Sequence, residues 1–381
     1  MPDHHPAIAA YPRAPVERRR DTSVDFLGIG TPVEFECRVP GYTLPPDVPR
    51  VTPSLPPFDE EYFEWTDLFE AAAEARTFFV MVELGAGYGR WTVRGAVVAG
   101  RLGLDFRGLA IEADPDHFRW LKRHCRDNGL GPDHVELLWA AVHAEPGFVP
   151  FRAGRADATY GQRVDRIAPG PYPDPRTRAR LRARAALGLP PRGGGPDVKG
   201  MWMPCLTLLD ALAAYPRVDL LDVDLQGLEL PVLLTSAGVL DVRVRRLHVG
   251  THSREIEEAL RARFSERGWV AVHDYPCHSR AETPYGAIDF VDGVQSWLNP
   301  RLDPDRSVSG RHAVSADVEA GAGLPAPGLA SLATHVSALG QQLHLLRHRY
   351  AKLQEKNDAL RQKLAALRQR YLARGPRGTA T

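Results

Sequence analysis

The residues best suited to hold a ligand lie in one stretch, Val80–Gly89, which reads VMVELGAGYG. Its apolar residues predict a buried parallel strand that ends on Glu83. Gly85, Gly87 and Gly89 then predict a turn into a helix. Glycine tolerates positive φ and lets the backbone approach a ligand, and the N-terminus of the helix offers free N–H groups. The stretch therefore predicts a ligand-binding corner, with a glycine-rich turn that holds no ligand as the alternative.

The spacing of this corner distinguishes two classes of ligand. A dinucleotide fingerprint, G-x-G-x-x-G, would require glycine at the position of Arg90. This chain has G-x-G-x-G instead, with Glu83 two residues before the first glycine. A carboxylate there suits the ammonium of S-adenosyl-L-methionine (SAM), held through ordered water or backbone, better than a pyrophosphate. The corner therefore predicts SAM as the ligand and disfavours a nicotinamide cofactor.

A second acid follows at the end of the next predicted strand, Phe106–Glu112. A carboxylate at Glu112 can accept hydrogen bonds from both ribose hydroxyls of a nucleoside, as the acid of dinucleotide folds does. A solvated acid at a strand end is the alternative. Asp114, just before Pro115, is better explained as the N-cap of the following helix.

The elements that must position these residues alternate between strand and helix. This alternation predicts an α/β fold with a doubly wound parallel sheet, whose ligands bind at the carboxyl ends of the strands. Trp269–His273 and Ala287–Val291 predict a closing antiparallel pair. The other predicted elements are helix Asp59–Ala75 at the sheet edge, helix Trp91–Arg101, a helix from Pro115 to Asn128, strand Val135–Val142, helix Leu206–Tyr215, strand Val218–Val223, helix Glu229–Ser236, strand Arg245–Val249 and helix Ser253–Gly268.

Composition divides the chain into regions. Residues 1–58 form a proline-rich N-terminal extension, predicted to start flexibly and to contain a strand pair at Val33–Val39. Residues 59–300 form the predicted domain, and its segment 144–200 is an arginine-rich insertion typical of a lid, a binding loop or disorder. Residues 301–330 are a linker rich in Pro, Gly, Ser and Ala.

Four motifs in this order resemble the FkbM-type SAM-dependent methyltransferases. They read VELGAGYG, IEADPDHF, VDLLDVDLQGLEL and LHVGTHSREIE, and the resemblance extends roughly from Asp59 to Pro300. It implies a Rossmann-like, seven-stranded class I methyltransferase domain. The chain departs from the family at Gln226, because many relatives have glutamate there in the pattern D-x-E-G-x-E.

The resemblance also implies a reaction and a set of residues. The reaction is O-methylation of a hydroxyl on a sugar, a glycan or a glycosylated secondary metabolite. A methyltransferase-like scaffold without activity, kept for assembly with partners, is the alternative. The predicted cofactor-binding residues are Glu83, Gly85, Gly87, Tyr88, Gly89, Glu112 and Ala141.

An alcohol is a poor nucleophile at neutral pH, and a nearby base would accelerate its methylation by roughly 10²–10⁴-fold. Asp224 and His252 follow the fourth and fifth predicted strands and are the predicted catalytic pair, with capping roles as the alternative. A histidine with an ordinary pKa of about 6.5 suits this task. His248, within its strand, is better explained as a packed histidine. Asp222, Asp224 and Glu229 offer carboxylates to a metal, but their spacing argues against one, and no metal is predicted.

Composition excludes several classes of protein. The chain has 381 residues, of which 44% are hydrophobic and 25% charged, and a net charge of +1, as in ordinary globular proteins. Its four cysteines form no C-x-x-C pair, which argues against a zinc module or a disulfide framework. It has no signal-like start and no apolar run of 18 residues. We expect a cytoplasmic enzyme with a small-molecule or glycan acceptor and no nucleic-acid partner.

Residues 331–372 carry a heptad pattern typical of a coiled coil. Leucine occupies every d position from Leu332 to Leu367, and Asn357 at an a position favours two strands. The flanking e and g positions are basic, so they repel each other in a parallel homodimer. The predicted partner is therefore a second copy of the chain or an acidic helix. A basic helix on an anionic membrane, at the inner face, is the third alternative.

Overall fold

The structure of the chain is a computed structural model that describes residues 3–13, 15–17, 21–36, 50–153, 163–164 and 199–302. The predicted coiled coil at 331–372, nearly all of the linker at 301–330 and most of the arginine-rich insertion lie outside the described residues. Among the described residues, no helix is both long and apolar enough to cross a membrane.

The N-terminal extension packs against the domain. Its elements are α1 (Pro6–Ala9), β1 (Val16–Glu17), β2 (Thr22–Val24), β3 (Gly30–Pro32), a 3₁₀ turn (Val33–Phe35) and β4 (Arg50–Val51), where β1 pairs with β4 and β2 with β3. Ile8, Tyr11 and Phe26 are buried in the core. The prediction of a flexible start is therefore wrong for these residues, and so is a strand at Val33–Phe35. Their large apolar side chains bury against the domain, which a proline-rich composition does not reveal.

Seven strands form the main sheet, which confirms the predicted α/β fold. They are β5 (Phe78–Leu84), β6 (Asp105–Glu112), β7 (Val135–Trp139), β12 (Val218–Val223), β13 (Val244–Thr251), β14 (Val270–Tyr275) and β17 (Gly293–Leu298), in the spatial order β14-β17-β13-β12-β5-β6-β7. Strands β7, β6, β5, β12 and β13 are parallel, and β17 runs antiparallel between β13 and β14. The chain order reverses between β5 and β12, which is where a ligand crevice is expected.

The helices follow the predicted pattern with shifted ends. They are α2 (Tyr62–Ala73), α3 (Arg90–Arg101), α4 (Pro115–Asp127), α5 (Leu208–Ala211), α6 (Glu229–Thr235), α7 (Ala237–Arg243) and α8 (Arg254–Glu266). Asp114 is the N-cap of α4, because its carboxylate accepts from the backbone N–H groups of Asp116 (2.8 Å) and His117 (3.1 Å). Helix α5 is shorter than the predicted Leu206–Tyr215 and begins after Thr207, whose hydroxyl caps it.

A second, four-stranded sheet stands beside the main one. It has the order β10-β9-β11-β8, formed by β8 (Ala141–Val142), β9 (Gly147–Ala153), β10 (Arg163–Val164) and β11 (Lys199–Leu206). The two ends of the arginine-rich insertion thus pair with each other, as antiparallel β9 and β11. The single strand predicted at Val135–Val142 is in fact two strands, because the chain leaves the main sheet at Ala140.

The predicted closing pair is wrong in its second strand. Strand β14 pairs with β17, whereas β16 (Gly286–Phe290) pairs with β15 (Ser279–Thr283) in a separate hairpin. Two fully buried polar residues in β17, Gln295 and Ser296, hide its core position from a reading of hydropathy.

Candidate active site

A cleft with about 620 Å³ of empty space, its open mouth included, lies at the carboxyl ends of β5, β6 and β12. This volume is typical of a site for a small organic ligand. Five of the predicted site residues line it: Gly85, Gly87, Glu112, Ala141 and Asp224. The other lining residues among those described are Ile111, Ala113, His117, Ala140, Val142, Phe151, Leu225, Gln226 and Leu228.

The glycine corner is shaped by two close approaches. At Gly85 (φ +80°), a Cβ would lie 1.8 Å from the carbonyl oxygen of Asp224, so only glycine fits there. At Gly87 (φ +54°), a Cβ would meet no protein atom within 4 Å. Because Gly87 lines the cleft, its missing side chain leaves space for a ligand. The first glycine thus brings β5 and β12 together, and the second opens the cleft.

Glu112 is the buried acid of the cleft, with 6% of its surface exposed. Its Oε2 accepts from the backbone N–H of Gly87 (2.7 Å), and its Oε1 accepts from that of Asp114 (2.5 Å). Burial raises the pKa of Glu112 to about 8, against the opposing effect of these hydrogen bonds. At neutral pH most of the carboxyl is therefore protonated, and a ligand that donates hydrogen bonds to it would favour the ionised form.

The other predicted cofactor residues support the corner from behind. Glu83 caps helix α3, because its carboxylate accepts from the backbone N–H of Thr92 (2.9 Å) and from the Thr92 hydroxyl. Burial raises the pKa of Glu83 to about 7. The Tyr88 hydroxyl donates to Glu36 (2.6 Å), and Gly89 is the left-handed N-cap of α3. Among the described residues these three are not in the cleft lining, and their contact with a cofactor stays a prediction.

Asp224 and His252, the predicted catalytic pair, are brought together by Glu229. His252 Nδ1 lies 2.9 Å from Glu229 Oε1, and His252 Nε2 lies 3.4 Å from Asp224 Oδ1. The fully buried Glu229 carboxylate also accepts from the backbone N–H groups of Leu225 and Gly227 (3.0 Å each). One carboxylate therefore fixes both the turn after β12 and the imidazole.

The charge of His252 differs from the sequence prediction. Burial alone would lower the pKa of His252, but the hydrogen bond to Glu229 and the charges of Asp224, Glu229 and Asp292 outweigh it and raise the pKa to about 9. The prediction of an ordinary pKa near 6.5 is therefore wrong, because the three carboxylates come from different parts of the chain. At neutral pH His252 is an imidazolium ion, which leaves Asp224 as the base of the pair.

Gln226, at the departure from the family pattern, supports Asp224. It adopts a left-handed backbone conformation (φ +52°), and its Nε2 donates to Asp224 Oδ1 at 2.8 Å. The amide thus orients the carboxylate from the cleft side. A glutamate at this position would place a negative charge against Asp224 instead. The substitution therefore suits a site in which Asp224 is the only ionised group at this point of the turn.

A row of polar side chains crosses the main sheet and was not predicted as a unit. In the register of the strands, Glu83 neighbours Asp222, Asp222 neighbours His248, and His248 neighbours Ser296. All four residues are buried. The signal was present in the sequence, because each polar residue stands at a matching position near the carboxyl end of its strand.

Helix α2 covers this polar row with acids. Asp67 is fully buried and lies 2.8 Å from His248 Nδ1, while its other oxygen accepts from Arg246 Nη1 at 2.7 Å. Glu64, one turn earlier, approaches His248 Nε2 at 3.9 Å. The helix therefore packs over the central strands, and its predicted place at the sheet edge is wrong. Sequence reasoning missed Glu64 and Asp67 because the partner of a helical acid is decided by tertiary packing.

The chain is similar to known proteins at a distance. No protein-family model matches it. Over 241 residues it is 28% identical to a protein of Jannaschia sp. (strain CCS1) named "Putative methyltransferase", and the similarity covers 63% of this chain and 79% of that protein. The FkbM-type resemblance stays a prediction.

Solved structures give weaker similarities. The METTL16 MTase domain has a TM-score of 0.35 and 13% identity, covering 73% of this chain and 86% of its own. A human methyltransferase 10 domain containing protein has a TM-score of 0.32 and 12% identity, covering 64% and 83%. TM-scores this low do not establish a common fold, and the fold stated above rests on the strand order of this chain.

Proposed function

We propose that the chain is a SAM-dependent O-methyltransferase whose acceptor is a hydroxyl of a sugar, a glycan or a glycosylated secondary metabolite. The observation that carries the proposal is the cleft at the switch point of the sheet, where Gly85, Gly87 and Glu112 meet. The name of the Jannaschia relative supports methyl transfer. The choice of oxygen as acceptor rests on the FkbM-type resemblance and on the carboxylate of Asp224 in the same cleft.

The residues of the cleft fit the parts of SAM. Glu112 offers carboxylate oxygens for the ribose hydroxyls, beside the backbone of Gly87. Ala141 and Phe151 supply apolar surface for the adenine ring. Acidic side chains surround the inner end of the cleft, and they favour a ligand that carries positive charge.

SAM supplies an electrophilic methyl group on a positively charged sulfur. In the proposed reaction the acceptor oxygen forms the new bond to the methyl carbon, the carbon–sulfur bond breaks and its electron pair stays on sulfur. The hydroxyl proton passes to a carboxylate oxygen of Asp224. His252, charged and hydrogen-bonded to Glu229, holds Asp224 in place and favours its ionised form. Positioning of the two reactants supplies much of the remaining rate.

Transfer of radiolabelled methyl from SAM to a panel of sugars, glycans and glycosylated metabolites tests this proposal. We expect a labelled acceptor for the wild-type chain. The nearly isosteric Asp224→Asn variant should retain SAM binding and lose roughly 10²–10⁴-fold in turnover, because it removes the base. SAM binding without transfer to any acceptor in the panel would instead support the scaffold.

A further inference from the structure

We propose that Glu64, Asp222 and His248 form a binding site for one divalent transition-metal cation beneath helix α2. The three side chains offer two carboxylate oxygens and one imidazole nitrogen, and these ligand atoms lie within 4.8 Å of one another. Bonds of roughly 2.0–2.2 Å join such ligands to zinc. A cation at the centre of the cluster therefore requires only small adjustments of the side chains. The site departs from the sequence prediction, which included no metal.

The first argument for a ligand is an unpaired oxygen of Asp222. The residue has 5% of its surface exposed, and its Oδ1 has no hydrogen-bond partner among the described residues. A buried polar atom without a partner is costly, and native structures seldom contain one without a water or an ion. Because Asp222 stands between Glu83 and His248 in the sheet, its carboxylate faces the same cluster. A bound cation would satisfy this oxygen.

The second argument is the support behind His248. Its Nδ1 lies 2.8 Å from Asp67 Oδ2, and Asp67 is kept ionised by Arg246 and accepts from the Ser296 hydroxyl. Nδ1 therefore carries the proton, and Nε2 presents its lone pair on the side of Glu64. A carboxylate behind a histidine is the usual outer shell of a metal site, because it fixes the tautomer and the ring orientation.

A second cluster, Asp224–Glu229–His252, also meets the distance criterion but differs in these respects. Both carboxylate oxygens of Glu229 already accept backbone N–H groups, and one of them also contacts His252. His252 bears a positive charge at neutral pH, which opposes binding of a cation. This second cluster is therefore satisfied by its own hydrogen bonds, whereas the first has an oxygen to spare.

The ligand set indicates which metals to test. Imidazole suits zinc and iron, carboxylate suits manganese, and three protein ligands leave positions for water. Mn²⁺ and Zn²⁺ are therefore the probes. Because Glu64 lies on helix α2 and the other two ligands lie on β12 and β13, the cation would fasten the helix to the sheet. It should raise the Tm of the full chain as well as bind to it.

The experiment measures binding of Mn²⁺ and Zn²⁺ to the chelator-treated full chain, by calorimetry and by metal analysis after gel filtration. We expect about one equivalent of at least one of these metals and a higher Tm in its presence. Glu64→Gln and Asp222→Asn keep the shape of each side chain and remove one ligand charge. Each should weaken binding by more than the roughly 10- to 100-fold that the loss of an outer-shell partner produces.

His252→Gln is the matched control, since it removes the histidine of the second cluster. It should bind the metal as the wild-type chain does. Unchanged Tm values of Glu64→Gln and Asp222→Asn in chelator would show that these variants fold; Glu64 is partly exposed and is the safer of the two. Absence of saturable binding to the wild-type chain would overturn the proposal. So would binding that survives in both ligand variants or that is lost in His252→Gln. None of these measurements depends on methyltransferase activity.

Discussion

The protonation of Glu112 should control nucleoside binding. Its pKa is raised to about 8 by burial in the empty cleft, whereas the ribose hydroxyls of a bound nucleoside would donate to the ionised form. At pH 7 about a tenth of the chains then carry the carboxylate. Because apparent affinity falls in proportion to the competent fraction, it should increase about tenfold from pH 7 to pH 9.

The ligand for this test is 5′-methylthioadenosine, because it has the ribose and adenine of SAM but no amino group that titrates in this range. Calorimetry in buffers of different ionisation enthalpy should show that binding at pH 7 releases close to one proton. Glu112→Gln should bind more weakly and without pH dependence, since an amide can accept only one of the two N–H groups from Gly87 and Asp114. Affinity of the wild-type chain that is flat between pH 6.5 and 9 would refute the reasoning.

Three further predictions concern stability and assembly. Gly85→Ala should lower the free energy of unfolding by more than about 2 kcal/mol, because strain at positive φ adds to the clash with Asp224, whereas Gly87→Ala, at open positive φ, should lose only about 1–2 kcal/mol in chemical denaturation; equal losses would contradict this. The rise in the pKa of His252 from 6.5 to about 9 stabilises the folded chain by about 3 kcal/mol below pH 6.5, and this should be lost as pH rises through 9. His252→Gln should flatten that part of the stability–pH profile, and an unchanged profile would contradict the assignment. In sedimentation the full chain should be a dimer that added salt tightens, and a chain without residues 331–372 should be a monomer; a full chain that is monomeric at every salt concentration would favour an acidic partner or a membrane surface.

Local patterns carried much of the fold. Val218–Val223 was predicted as a strand with its observed bounds, because a short and mostly apolar run between two helices is typical of a buried parallel strand. The partner of β14 was missed, since strand pairing is a long-range choice and Gln295 and Ser296 make β17 resemble a loop. Tyr11 and Phe26 were predicted to lie in a flexible segment, although they pack in T-shaped contact with each other (5.5 Å between ring centroids) in the core.

The site shows the same division. The glycine corner and Glu112 could be found from sequence, because backbone geometry and strand ends fix where such residues stand. The charge of His252 could not, since it depends on carboxylates from separate elements, including Asp292, whose Oδ1 lies 3.9 Å from His252 Nε2. Glu64 and Asp67 were also beyond reach, because a pattern of helical acids does not say which strand they will cover.

Calorimetric titration of the full chain with SAM and, separately, with NAD tests the central claim most directly. The cleft of Gly85, Gly87 and Glu112 predicts one saturable SAM site per chain, and Arg90 in place of a third glycine predicts no comparable NAD binding. Glu112→Gln should weaken the SAM site without unfolding the chain. Binding of NAD with no binding of SAM would contradict the account.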